Sequence, residues 1–143
     1  MTQLNILYMR MTKISERYTK LKTIFDNFCN LATAQLTDEK CTVKGITFSP
    51  KLERNYFDVS FTGKTVRFSF YVAEDKIPSL QGFVKCNPIG RDRKPIDMVI
   101  EEFTFNHQAE TAFKTPDGDP LEINTQWAAG YLLLNFLRDA LDK

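Results

Sequence analysis

Residues 56–71 read YFDVSFTGKTVRFSFY, and the meaning of the Gly-Lys-Thr at 63–65 decides what kind of protein this is. The tripeptide is how a phosphate-binding P-loop ends, but that motif needs a glycine five residues before Gly63, where this chain has Asp58. A hairpin explains the whole stretch instead. With Gly63 and Lys64 central in a two-residue type II′ turn, Thr62 faces Thr65, Phe61 faces Val66, Val59 faces Phe68 and Phe57 faces Phe70. On the other face Ser60 meets Arg67, Asp58 meets Ser69 and Tyr56 meets Tyr71. A one-residue slip would set phenylalanine against lysine and serine, so the alternation fixes the phase of both strands.

Working outward, residues 13–36 carry the clearest helical pattern. Ile14, Tyr18, Leu21, Phe25, Phe28, Ala32 and Leu36 recur at spacings of three and four, with Thr12 as the expected N-cap. Residues 1–10 show no period and are expected to fray or to add a strand. Between about 40 and 123 the period is two. Cys41 and Val43 hold one phase and Ile46 and Phe48 the other, which calls for a β-bulge at Lys44–Gly45. Further strands are expected at 82–87, at 97–107, and around Phe113 and Ile123 across the tight turn at 115–120. A last helix, 126–141, is capped by Asn124 or Thr125, and its apolar arc is too wide for a helix packed on one layer only. The expected fold is α+β: a long N-terminal helix, a five- or six-stranded mostly antiparallel meander and a C-terminal helix, packed in two layers as a single domain over 1–143.

A chain of 143 residues buries roughly 68–70% of its unfolded surface, so the core needs neither disulfide nor metal. Twelve phenylalanines predict a core of a few bulky rings. No stretch has the length of a membrane span or the form of a signal peptide. Three scattered cysteines, Cys29, Cys41 and Cys86, fit reduced thiols and a cytoplasmic setting. Charge is segregated: residues 1–96 carry 16 Lys/Arg against 9 Asp/Glu, and residues 97–143 carry 3 against 9.

No catalytic signature, dinucleotide glycine pattern or metal-ligand spacing is present, and no cofactor or metal is expected. The leading expectation is therefore a non-enzymatic cytoplasmic binding protein of the inhibitor, immunity or adaptor kind, meeting a protein partner or itself through Trp127, Tyr131 and Leu132 on the last helix. The alternative is a single-stranded nucleic-acid module stacking bases on Tyr56, Arg67 and Tyr71, with phosphate contacts from Lys51, Arg54, Lys64, Arg91, Arg93 and Lys94. A second alternative is a ligand or enzymatic cavity beside Glu101 and His107, the latter being the one histidine in the chain.

Overall fold

The computed structural model describes residues 2–73, 80–92, 94–96 and 101–142. The elements run α1 (Gln3–Leu36), β1 (Thr47–Lys51), β2 (Tyr56–Phe61), β3 (Lys64–Ala73), β4 (Gln81–Pro88), β5 (Glu101–Phe105), β6 (Glu110–Lys114), β7 (Pro120–Glu122) and α2 (Gln126–Leu141). The strands form one antiparallel meander in sequence order, seven strands rather than the five or six expected. The count reaches seven because the short strands expected around Phe113 and Ile123 form a separate pair, β6 and β7. They are joined by the expected turn, in which Gly118 N–H donates to the Thr115 carbonyl and Thr115 N–H to that of Asp119. No bulge is needed at Lys44–Gly45. Cys41 and Val43 are not in a strand: the chain bends at 42–43, Gly45 takes φ +89, and β1 begins only at Thr47.

The central hairpin forms, with a different turn. Thr62 and Gly63, at φ +52 and +84, are the central residues, which is the type I′ pattern. Phe57 therefore pairs with Phe68, Asp58 with Arg67 and Tyr56 with Ser69, two residues from the expected partners. Because side-chain direction repeats every two residues, an even shift leaves both faces intact. The inward residues Phe57, Val59, Val66, Phe68 and Phe70 are all buried.

Both helices cover this inner face. Phe57 stacks on Phe68 with centroids 5.1 Å apart, Phe25 of α1 stacks on Phe70 at 5.2 Å, and Phe136 of α2 stacks on Phe103 at 5.3 Å. Phe28 meets Phe103 edge-on at 6.1 Å. The expected ring core is present. The wide arc of α2 has the same explanation: Phe136 and Leu137 face the rings, while Gly130 allows close approach to Gln35 on α1, which a Cβ there would meet at 2.4 Å. Thr125 occupies the α2 N-cap position, but its hydroxyl donates to the Glu122 carbonyl rather than capping the helix.

The N-terminal expectation needs correction. Residues 3–12 are neither frayed nor a strand; they extend α1 to 34 residues, capped at Thr2, whose hydroxyl oxygen accepts from Asn5 N–H at 3.2 Å.

Two substitutions test this packing. Gly82 sits opposite Phe105, and a Cβ there would lie 2.3 Å from the buried ring. Gly82→Ala should cost about 1–3 kcal/mol by overpacking, read from the denaturation midpoint. Thr62 is β-branched at positive φ, so Thr62→Asn should stabilise by up to about 1 kcal/mol. A loss of stability in the second variant would contradict the type I′ turn.

Candidate functional site

The apolar seam of α1 has two halves with different surroundings. From Leu21 to Leu36 its inward residues, including Phe25, Phe28 and Ala32, are buried against sheet and α2. Running back along the same 3–4 spacing gives Tyr18, Ile14, Met11, Leu7 and Leu4, and the cover ends: every residue from 2 to 13 is exposed. Leu4, Ile6, Leu7, Tyr8, Met9 and Met11 are each more than half exposed. At 1.5 Å per residue this bare arm is about 18 Å long. Ile6 and Met9 lie on a different side from the seam and line a shallow recess with Arg10 and Lys13. A helix apolar on more than one side belongs in a buried environment. Sequence reasoning missed this surface, although the signal was present: the 3–4 spacing of Tyr18, Leu21, Phe25 and Phe28 continues unbroken to Leu4, blurred by the off-seam Ile6 and Met9.

Of the three residues expected on α2, Trp127 and Tyr131 are exposed, at 51% and 55%, with their rings 6.0 Å apart. Leu132 is corrected: it is 2% exposed and belongs to the core, because it lies on the arc that faces inward. Leu134, Arg138 and Leu141 continue the outer stripe at spacings of three, four and three. Leu134 is half-buried, and Arg138 and Leu141 are exposed.

Tyr56, Arg67 and Tyr71 share the outer sheet face as expected, but the polar groups of Arg67 and Tyr71 are already engaged. The Arg67 guanidinium donates twice to Asp58, at 2.8 and 3.1 Å, and lies 3.8 Å from the Tyr56 ring centroid. The hydrogen bond to Asp58 raises the Arg67 pKa. Tyr71 stacks on Phe83 at 5.1 Å and donates its hydroxyl to Glu102; burial, then that hydrogen bond and the Glu102 charge, push its pKa up to about 12. Lys51, Arg54, Lys64, Arg91 and Lys94 are exposed. They fall in two groups: Lys51 and Arg54 flank the start of β2, whereas Ile89 N–H bonds Thr65 and brings the 89–95 loop, with Arg91 and Lys94, to the Lys64 end. Arg93 lies outside the described residues.

Glu101 and His107 do not converge. Glu101 opens β5 and His107 lies in the turn beyond its other end, so the strand itself, about 13 Å long, stands between them. A shared cavity between them is therefore corrected. Cys86 pairs with Glu101 at the far end of β5 from His107. Cys29 is buried in the core, where burial pushes its thiol up to about 11. Among the described residues no group of three or more His, Cys, Asp or Glu could hold a metal ion, and no helix is long and apolar enough to cross a membrane.

Comparison with known family models, with curated proteins and with solved structures gives no match.

His107 offers a pH test. Its Nε2 is buried without a hydrogen-bond partner, and burial, then the Lys20 and Arg17 charges of α1, hold its pKa below the ordinary 6.5. A depressed histidine favours the neutral ring, so its contribution is present above the unfolded pKa and is lost as pH falls through the folded one. NMR titration should place the ring below 6.5, with Lys20→Ala moving it upward. His107→Gln should flatten the acid loss of stability below that pH. A ring titrating at or above 6.5 would contradict the placement.

Proposed function

We propose that this is a non-enzymatic binding protein, acting in the cytoplasm, whose working surface is the bare N-terminal arm of α1 together with the Trp127–Tyr131 face of α2. One observation carries the reading: six large apolar side chains between Leu4 and Met11 are each more than half exposed on a single helix. Contiguous apolar surface of that extent marks an interaction site on an otherwise ordinary exterior. A helix whose anchors recur at three and four is the form that docks into an apolar groove or a helical bundle. The first two turns are exposed throughout, and a helical segment that short gains little stability in water by itself. Docking would supply it. Three free cysteines, two of them buried, fit the reducing compartment included in the proposal.

The single-stranded nucleic-acid reading stands behind this one, since Arg67 and Tyr71 are held by Asp58 and Glu102. It would rest instead on the exposed lysines and arginines at the two ends of the hairpin.

Capture of a tagged chain from its native cells, with and without nuclease, compares wild type with a Leu4→Glu/Leu7→Glu arm variant. A stoichiometric protein that survives nuclease and is lost by the variant is the expected result. Nucleic acid retained at low salt and released at high salt, equally by both forms, would replace the arm with the hairpin face.

A further inference from the structure

We infer that the occupant of the arm is a second copy of this chain: two copies exchange arms, each laying residues 4–18 along the outer stripe of the other's α2. The inference rests on the docking reading above and names its partner. The chain carries two apolar-rich helix stripes that are mostly exposed, each touching the core at one member, Tyr18 on the first and Leu134 on the second. One is Leu4, Leu7, Met11, Ile14 and Tyr18, at spacings of three and four; the other is Trp127, Tyr131, Leu134, Arg138 and Leu141, at spacings of four and three. Both cover fifteen residues, about 21 Å of helix from first to last, so one can cover the other end to end. Within one chain they are kept apart. Gly130 of α2 lies against Gln35, near the C-terminal end of α1, whereas the arm is the opposite end of that helix.

Charge favours the same pairing. Arg10, Lys13, Arg17 and Lys20 flank the arm with only Glu16 among them, and two like arms pressed together would set these cations against each other. The C-terminal third is the acidic part of the chain, with Asp139 and Asp142 at the end of α2 and Glu122 just before it. An exchange places the basic part of each copy over the acidic part of the other, and it does so twice about a two-fold axis, as an isologous dimer requires. The area is adequate. The stripe residues Leu4, Leu7 and Met11 with Trp127, Tyr131 and Leu141, taken over two copies, offer on the order of 1,200 Å² of residue surface, at the lower end of the range of specific interfaces. The Trp–Tyr pair at 6.0 Å supplies ring anchors of the kind that dominate such contacts.

The test is the solution mass of the purified full chain over a dilution series, with two variants and one cross-link. Wild type should double its 16.6 kDa mass. Leu7→Glu/Met11→Glu and, separately, Tyr131→Glu should each weaken the dimer at least tenfold. All three positions are more than half exposed within the chain, so unchanged circular dichroism should confirm that the fold survives. Met11 and Leu134 are the midpoints of the two stripes and meet whether the helices run parallel or antiparallel. Met11→Cys with Leu134→Cys should give an interchain disulfide that neither single variant gives. A monomer at every concentration overturns the inference, as does a dimer indifferent to both variants. A monomeric chain whose Leu4→Glu/Leu7→Glu form still loses a captured protein shows that the second copy is wrong while arm docking stands. Loss of neither mass nor capture removes both.

Discussion

The fold is organised by the need to cover one helix seam. Along α1, Leu21, Phe25, Phe28, Ala32 and Leu36 press into a sheet face lined with Phe57, Phe68, Phe70 and Phe103, and this contact brings most of the ring core together. Burying a large side chain contributes about 1.5–3 kcal/mol, so the seam pins α1 to the sheet and fixes where α2 can lie. The same helix then runs on for about 18 Å as an exposed segment, residues 2–13. Folding of one chain satisfies one half of it and leaves the other half in water.

That asymmetry separates the surfaces. The outer sheet face resembles a recognition platform in composition, yet Asp58 neutralises Arg67, Ser60 and Thr65 hydroxyls bond at 2.7 Å, and Glu102 holds Tyr71. Its groups satisfy one another, which is what a solvated sheet face requires for its own stability. The arm and the Trp127–Tyr131 stripe have exposed apolar surface without a counterpart among the described residues. The first arrangement is complete as it stands; the second is complementary to something else.

Much of the fold was legible in the sequence because several local rules agreed. Alternation through 56–71 fixed both faces of the hairpin even though the turn was assigned one residue late, since an even change of partner keeps side-chain phase. The choice between turn types was hidden because it depends on Thr62 adopting φ +52, which a β-branched residue disfavours. The short strands around Phe113 and Ile123 were legible from the tight turn between them, and the expected total of five or six fell short of the seven that form, β6 and β7 included. Of the candidate site, Trp127 and Tyr131 were found from their type and helical position, and Leu132 was misplaced because the inner arc of α2 faces both the sheet and α1. The arm escaped notice because the same spacing that marks a core seam also marks a docking seam, and only burial distinguishes them.

Amide hydrogen exchange along α1 tests the central claim most directly, followed over a dilution series of the purified chain. Residues 21–32 should stay protected throughout, because the sheet and α2 cover them at any concentration. Residues 4–14 should be protected in concentrated solution and lose that protection on dilution. Arm amides that exchange freely at every concentration would show that no second copy covers the seam.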